Sequence, residues 1–429
     1  MKMARQQQCR SFQDGRAHLD PQSLESSPPS TFALTRSLVW LFAVACGLSV
    51  ANIYCSQPLL DAIARDFGVG QACVGLVVTV TQAGYALGLF FIVPLGDLLD
   101  RRRLIVNQLL ISVLALFVVG FAPNIAVMLC GVFVVGLLAV VIQVLVALAA
   151  TLAAPEERGS IVGKVTSGVV IGILAARSMA GALTDLGGWR LVYLVSAALL
   201  LAITGALWKA LPPGANSDAP SSYTGLLGSV FALWAREPLL RIRAGLALLI
   251  FAVFSVLWTS LVLPLSAPPM SLSHSIIGLF GLVGVAGASA ARHAGRWADR
   301  GLHQWTTGAA LFLLLASWLP IGYLRHSLVS LVAGVILLDF AVQAVHVTNQ
   351  SMIFARLPEA RSRLVAAYMM FYSIGSGGGA IASTWVYAHA GWSGVSTLGA
   401  GLSFVALLFW AATVKQGSLS VRGDFSSDE

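Results

Sequence analysis

Long apolar runs recur along the whole chain and restrict its fold more than any other feature. A helix needs about 20 mostly apolar residues to cross roughly 30 Å of hydrocarbon. Only 10% of the 429 residues are charged, whereas a soluble domain carries about 25%, so a soluble body is excluded. Twelve runs are long enough, and we predict an all-α membrane protein with twelve spans. In chain order, spans 1 to 12 are predicted at 37–57, 72–95, 104–121, 126–152, 165–184, 190–209, 244–263, 275–292, 305–323, 328–355, 365–387 and 394–414.

The lysines and arginines predict how these spans are oriented. With both termini in the cytoplasm, 22 of the 26 basic residues lie on the inner side, as the positive-inside rule requires. The exceptions are Arg65, Arg190 and Arg325 outside, and Arg177 within a span. Membrane orientation therefore explains the net charge of +8, and we expect no nucleic-acid partner.

The two ends of the chain are predicted to be cytoplasmic tails. Residues 1–36 are rich in Gln, Ser and Pro and contain no apolar stretch typical of a cleavable signal, so we expect a disordered tail. Residues 415–429 form the second tail. The five cysteines show no paired spacing, so we expect neither a disulfide framework nor a metal site.

A segment rich in Pro and Ser separates the spans into two sets of six. Residues 210–243 contain LPPGANSDAPSSY and then REPLLRIR, and the first of these is typical of a linker. We predict an N-terminal six-helix bundle over 37–209, a cytoplasmic linker loop over 210–243 and a C-terminal bundle over 244–414.

Three short motifs recur in the same order in the two halves. GDLLDRRR, which begins at Gly96, matches GRWADR, which begins at Gly295, at an offset of 199 residues. PEERG after span 4 matches PEARS after span 10 at an offset of 203 residues, and a Gly-Trp pair recurs at the same offset. Similar motifs at matching places indicate an internal duplication.

The Gly–Asp–Arg element after span 2, repeated after span 8, resembles the signature of the major facilitator superfamily of secondary transporters. This resemblance covers about residues 36 to 415. ANIYCSQPLL (51–60), GILAARSMAG (172–181) and LLDFAVQAVHVTNQ (337–350) further resemble a bacterial subgroup of sugar- or drug-efflux permeases. The family resemblance implies two bundles related by a pseudo-twofold axis along the membrane normal, in a bacterial inner (plasma) membrane.

The resemblance also implies that the repeated element gates transport. The glycines are expected to let helices approach closely, Asp100 to face the positive N-terminal end of a neighbouring helix, and the arginines to bind phosphate headgroups or carboxylates. The alternative is that the arginines only orient the adjacent spans. The predicted gating residues are Gly96, Asp100, Arg101, Gly295, Asp299 and Arg300.

Few ionisable side chains lie deep within the predicted spans. A charge at mid-bilayer costs about 2.5–3.5 kcal/mol on insertion scales, so it usually faces a cavity and finds a partner. Asp339, Gln343 and His346 follow each other at helical spacing in span 10, with Asn349 close by, and lipid cannot satisfy such a polar stripe. The alternative is that the stripe only fastens span 10 to neighbouring helices.

Arg177 and Asp339 are predicted at similar depths in the membrane. A rise of about 1.5 Å per residue places Arg177 roughly 20 Å, and Asp339 roughly 24 Å, from the inner ends of their spans. We therefore hypothesise that the two side chains meet or nearly meet between the halves, and that Asp339, with His346 as a second group, couples proton movement to transport. The structural alternative is that Arg177 binds backbone carbonyls in the Gly-rich segment 172–181.

Polar residues on several spans are candidates for substrate contact, because the resemblance implies that spans 1, 4, 7 and 10 line a central cavity. Trp258 in span 7 either stacks on a ring-shaped substrate or anchors the helix at the membrane interface, and aromatic frequencies favour the anchor. The predicted cavity residues are Asn52, Gln57, Gln143, Gln343 and Asn349.

These features predict proton-coupled efflux of a small organic solute by alternating access, by a monomer surrounded by lipid. No cofactor is expected, and the proton gradient supplies the energy. The sequence contains no phosphate-binding loop and no HExxH motif, so neither ATP-driven transport nor an enzymatic activity is expected. The alternatives are a facilitative uniporter or proton symporter on the same fold and, in another class, a membrane sensor or scaffold that transports nothing.

Overall fold

The computed structural model describes residues 35–154, 156–211, 222–284, 296–297, 300–356 and 361–422. Within these ranges the chain forms helices joined by short turns, and no strand is present. The helices of the first half are Arg36–Tyr54, Leu60–Phe67, Gln71–Val74, Leu76–Phe91, Arg101–Gly120, Ile125–Leu138, Val141–Leu152 and Arg158–Ala210. Those that follow are Tyr223–Arg236, Pro238–Ser260, Val262–Ser266, His274–Val283, His303–Ala316, Trp318–Gly322, Leu328–Arg356 and Arg361–Arg422.

The described helices account for eleven of the twelve predicted crossings and for part of the twelfth. Among the described residues, nine helical segments are long and apolar enough to cross a membrane. Two of these, Arg158–Ala210 and Arg363–Val414, contain 53 and 52 residues, which at about 1.5 Å per residue is enough for two crossings each. The shorter apolar helix His274–Val283 supplies the outer part of span 8.

Both double-length helices break at a Gly-Trp pair of the internal repeat. Gly188 and Gly391 have φ angles of +78° and +60°, which residues with a side chain rarely adopt. The following residues, Trp189 and Trp392, are buried, and the Trp392 indole N–H donates to the Ile321 carbonyl at 2.9 Å. Each glycine therefore interrupts the helix, and the buried tryptophan fixes the chain where the next span begins.

Close helix crossings at glycine hold each bundle together. A Cβ at Gly172 in span 5 would lie 2.3 Å from the carbonyl oxygen of Gly47 in span 1. A Cβ at Gly375 in span 11 would lie 2.0 Å from the carbonyl oxygen of Leu248 in span 7. Such small-residue contacts let helix backbones approach each other in lipid. Gly172 and Gly375 are 203 residues apart, the offset of the sequence repeat, so the duplication appears as two equivalent crossings.

A helix occupies part of the range predicted as a linker loop. This linker helix, Tyr223–Arg236, contacts both bundles. The Tyr223 hydroxyl donates to the carbonyl of Phe91 in span 2 at 2.9 Å. The Trp234 ring stacks on Phe371 in span 11, with ring centroids 6.1 Å apart.

Candidate functional site

The two bundles contact each other mainly toward one end. We call the end at which span 1 begins the inner end and the opposite end the outer end. Among the described residues, the side-chain hydrogen bonds between the bundles lie toward the outer end, so the structure is closed there. These bonds join Thr79 to Gly377, Ser178 to Gly278, Asp61 and Asp185 to His274, Thr384 to Ala72 and Tyr54 to Tyr372.

Arg177 lies at this contact, enclosed by aromatic rings. Its guanidinium carbon lies 3.9 Å from the ring centroid of Trp258, 5.3 Å from that of Tyr54 and 5.5 Å from that of Phe254. Only 3% of Arg177 is exposed. A cation over an aromatic face is attracted by the ring quadrupole. The N-terminal bundle therefore places a buried positive charge on ring faces that belong largely to span 7.

Asp339 contacts the same tryptophan. The Trp258 indole N–H donates to Asp339 Oδ1 at 3.1 Å, and Asp339 is buried. Trp258 thus offers its ring face to Arg177 and its N–H to the carboxylate. The predicted role of Trp258 as a membrane-interface anchor is wrong, because only 3% of the residue is exposed and its N–H binds inside the protein.

The predicted approach of Arg177 to Asp339 is present, but it is bridged by Trp258. No ion pair joins the two side chains directly, both of which lie in the described part of the chain. The Arg177 Nε donates instead to Gln57 Oε1 at 2.9 Å, so the predicted cavity residue Gln57 binds the buried cation. The alternative bonds from Arg177 to carbonyls of 172–181 are not among its contacts in the described residues.

His346 belongs to a second polar cluster, nearer the inner end. Its Nδ1 lies 3.0 Å from the Tyr368 hydroxyl. Its ring meets Phe251 edge to face, with centroids 5.1 Å apart. The predicted second proton-coupling residue therefore lies half-buried among aromatic side chains of spans 7 and 11.

Asn349 is fully buried and holds helices together in this state. Its Oδ1 accepts a hydrogen bond from Arg243 at 3.2 Å, and its Nδ2 lies 3.4 Å from the Tyr368 hydroxyl. Arg243 also donates to Thr307 Oγ1 at 3.3 Å and is 1% exposed. The sequence placed Arg243 at the end of the linker loop, whereas span 7 begins earlier and buries the side chain within the C-terminal bundle.

The other predicted cavity residues take no part in the Arg177 site. Asn52 is buried in span 1. Gln143 is half-buried beside Tyr85, and Gln343 is half-buried one helical turn inward from Asp339. Their contacts with substrate stay predictions.

The first copy of the gating element forms a compact inner turn. Asp100 Oδ1 accepts from the Arg103 backbone N–H at 3.1 Å, so the carboxylate caps its own helix rather than a neighbouring one. Arg101 donates from Nε to the Gly96 carbonyl at 3.0 Å and from Nη1 to Thr151 Oγ1 at 2.9 Å. These bonds tie the turn to the end of span 4, and the gating role stays a prediction.

The close approach predicted at Gly96 is not tight. A Cβ there would meet the Val144 side chain at 3.7 Å, an ordinary contact. In the second copy of the element, Gly295 and Asp299 lie outside the described residues. Arg300 is exposed.

A charged cluster that sequence reasoning missed closes the outer end. At the start of span 8, His274 Nε2 lies 3.0 Å from Asp61 Oδ1, and Nδ1 lies 3.3 Å from Asp185 Oδ1. The backbone N–H groups of His274 and Ser275 donate to the two Asp185 oxygens at 3.1 and 2.8 Å. The hydrogen bond from Asp61 raises the pKa of His274, partial burial opposes this rise, and the Asp185 carboxylate adds to it. Both acids belong to the N-terminal bundle, so a protonated His274 fastens one bundle to the other.

Protonation of His274 is therefore expected to favour closure of the outer end. The facing charges are Asp61, with its partner Arg65, and Asp185. Because closure raises the pKa of His274 above the ordinary value of about 6.5, the stabilisation is complete below that value. It is lost as the pH rises through the raised pKa of the closed state. We expect the ratio of closed to open molecules to fall from acidic to alkaline buffer.

Spin labels on the two outer surfaces measure this dependence. Gln71→Cys and His326→Cys, in a chain whose native cysteines are replaced by serine, place one label on each bundle. The distance distribution is recorded across the pH range, and the same pair with His274→Gln is the control. A pH dependence that persists unchanged in His274→Gln would assign the effect to another group.

The chain is similar to known transporters along most of its length. The family model of the Major Facilitator Superfamily matches residues 42–324. The uncharacterized transporter YgaY of Escherichia coli O157:H7 is 46% identical over 377 residues, which are 88% of this chain and 95% of YgaY. A protein named "Probable transporter SCO4007", from Streptomyces coelicolor, is 33% identical over 388 residues, 89% of this chain and 88% of its own.

A solved transporter structure has the same fold. The nucleoside transporter NupG superimposes with a TM-score of 0.71 over 87% of this chain and 99% of its own, at 16% sequence identity. At that identity the similarity concerns the fold alone. The shared fold agrees with the twelve crossings and the two six-helix bundles predicted from the sequence.

Proposed function

The chain belongs to the major facilitator superfamily of transporters, and we propose that it exports a small organic solute in exchange for protons by alternating access. One observation carries this proposal: a buried cation, Arg177, and a buried carboxylate, Asp339, come from opposite bundles and contact the same side chain, Trp258. In alternating access the outer contact between the bundles opens in each cycle. Whether Arg177 balances the charge of Asp339 therefore depends on whether the outer end is closed or open.

Opening of the outer end changes the surroundings of Asp339. Arg177 moves with the N-terminal bundle, whereas Trp258 and Asp339 stay with the C-terminal bundle. A carboxylate that loses its nearby cation within the protein is costly to keep ionised. A proton from the outer side compensates the charge, and the return of Arg177 in the closed state displaces that proton toward the inner side.

His346 lies on the inward route from Asp339. It is seven residues further along span 10, which is about 10 Å at the rise of a helix. A histidine ring nitrogen can accept a proton and release it again, and we assign His346 the second proton-transfer step because of its place on this route. In this scheme the protein returns to the inward-facing state without solute while the proton moves inward. The solute moves outward in the other half of the cycle. We place the protein in a bacterial inner membrane, with both termini in the cytoplasm.

Proteoliposomes with an internal pH dye test this function. Purified protein is challenged with a panel of sugars and organic cations under an imposed proton gradient. We expect a solute that drives proton movement, and we expect Asp339→Asn to abolish that movement, because an amide cannot carry a proton. Asp66→Asn is the matched control: its carboxylate is 41% exposed and pairs with Arg190 at the outer surface.

The outcomes separate the proposal from its alternatives. Solute flux without proton movement indicates a uniporter. Proton and solute movement in the same direction indicates a symporter. Normal coupling in Asp339→Asn would remove Asp339 from the proton pathway while leaving the transporter assignment in place.

A further inference from the structure

The surroundings of Arg177 have the composition of a cation-binding site. Three aromatic rings, from Trp258, Phe254 and Tyr54, lie within 5.5 Å of its guanidinium carbon. The carboxylate of Asp339 is hydrogen-bonded to the edge of the nearest ring. Ring faces together with an acid are the groups that recognise organic cations. We call Trp258, Phe254 and Asp339 the cation cage.

The cation cage and its occupant belong to different bundles. Trp258 and Phe254 lie on span 7 and Asp339 on span 10, whereas Arg177 lies on span 5 of the N-terminal bundle. Span 8 of the C-terminal bundle packs directly on the backbone of Arg177, since a Cβ at Gly278 would lie 2.4 Å from the Arg177 carbonyl oxygen. Separation of the bundles at the outer end therefore withdraws Arg177 and leaves the cage without its cation.

Arg177 also fits the cage imperfectly. Its Nε is bonded to Gln57, but its buried Nη2 has no hydrogen-bond acceptor among the described residues. A buried donor without an acceptor weakens the state that contains it. A cavity of about 10 Å³, lined in part by Gln57, Trp258 and Ile277, lies beside the guanidinium. The side chain is therefore a replaceable occupant of the cage.

We propose that the substrate is an organic monocation, a guanidinium or alkylammonium compound, which binds the cation cage in place of Arg177. This inference rests on the proposed transport function and adds the substrate class to it. Arg177 is then a built-in competitor: a cation from the inner side takes its place in the cage, which releases the outer contact, and the cation leaves outward before Arg177 returns. An anionic substrate is disfavoured at this site, because aromatic faces carry negative potential and Asp339 adds to it.

A pair of ligands of equal shape isolates the charge. Benzylguanidinium carries the group that Arg177 presents, and benzylurea is its neutral counterpart. Binding of each to purified protein in lipid nanodiscs is measured by calorimetry at alkaline pH, with phenylacetate as the anionic probe. We expect benzylguanidinium to bind and the other two probes not to bind. Direct binding does not require transport, so this test is independent of the flux assay.

Two variants remove the competitor in different ways. Arg177→Gln keeps a side chain that can bond to Gln57 but lacks the charge, and Gly278→Leu holds the bundles apart without touching the cage. We expect each to strengthen benzylguanidinium binding by about tenfold, since the lost contacts are cation–π contacts of a buried ring. Trp258→Leu should weaken the binding by a similar factor, and Asp339→Asn should abolish it.

The possible results separate the substrate class from the transport function. Equal binding of benzylurea, binding of phenylacetate that requires Arg177, or unchanged affinity in both competitor variants would each overturn the cation assignment. Proton-coupled flux of a neutral sugar alone would retain the transporter and reject the cation. Selective binding of benzylguanidinium with no flux would retain the cage and reject the proposed transport.

Discussion

Replacing Gly278 with leucine is expected to reduce transport by about ten- to a hundredfold while the protein stays folded. The Cβ of the new side chain would lie 2.4 Å from the Arg177 carbonyl oxygen. That oxygen belongs to the helix backbone, so it cannot rotate away. Extra atoms in a close-packed contact cost about 1–3 kcal/mol or more, and this cost applies only when the outer end is closed. The equilibrium therefore shifts toward the outward-open state, and the cycle stops there.

A second glycine on the opposite bundle gives an independent test of the same contact. A Cβ at Gly181 would lie 2.1 Å from the His274 carbonyl oxygen, so Gly181→Leu should have the same effect. Gly205→Leu is the matched control, because no atom of another helix in the described part of the chain lies within 4 Å of a Cβ built at Gly205. We expect Gly205→Leu to transport at the rate of the unmodified protein.

A buried cysteine reports the conformation directly. Val262 lines the cavity beside Arg177 and is 1% exposed. In a chain without native cysteines, Val262→Cys should react slowly with a membrane-impermeant maleimide applied from the outer side. Addition of Gly278→Leu should make it react about tenfold faster or more. If Val262→Cys still reacts slowly with the maleimide when Gly278→Leu is also present, and transport is unchanged, the tight closure of the outer end is contradicted.

The sequence predicted the features that depend on one helix at a time. Apolar run length predicted the crossings, and the breaks at Gly188 and Gly391 fall in the predicted gaps between spans 5 and 6 and between spans 11 and 12. Because the rise per residue is fixed, counting along spans 5 and 10 was enough to place Arg177 and Asp339 at similar depths. These predictions needed only distances along a helix axis.

The sequence did not predict features that depend on how helices from distant parts of the chain face each other. Asp61, Asp185 and His274 come from three separate segments, and no spacing rule connects them. Trp258 was misassigned for the same reason: residue frequencies favour the membrane interface for tryptophan, whereas its rotation on span 7 directs it at Arg177. The span 10 stripe likewise predicted which face is polar but not that Asn349 is bonded to Arg243.

Removing either charge of the Arg177–Asp339 pair alone is expected to destabilise the protein strongly, and removing both is expected to restore most of the stability. A single neutral substitution, Arg177→Gln or Asp339→Asn, leaves the other charge buried without its counter-charge, which costs about 3–5 kcal/mol. The double variant contains no such charge, so its free energy of unfolding should lie within about 1–2 kcal/mol of the original. Transport should be lost in all three variants, because each of them lacks the competitor, the proton site or both.

An exposed ion pair at the outer surface provides the matched double-mutant cycle. Arg190 and Asp66 are bonded to each other, but their side chains are 37% and 41% exposed, so their coupling should be no more than about 1 kcal/mol. Stability is measured in detergent by denaturant or thermal unfolding of all four members of each cycle. If the stability losses of Arg177→Gln and Asp339→Asn simply add in the double variant, Gln57 and the aromatic rings compensate the charge of Arg177 without Asp339. A large coupling there and a small one at the surface would show that the two charges compensate each other across Trp258, as an exchange of Arg177 for a proton or a cation requires.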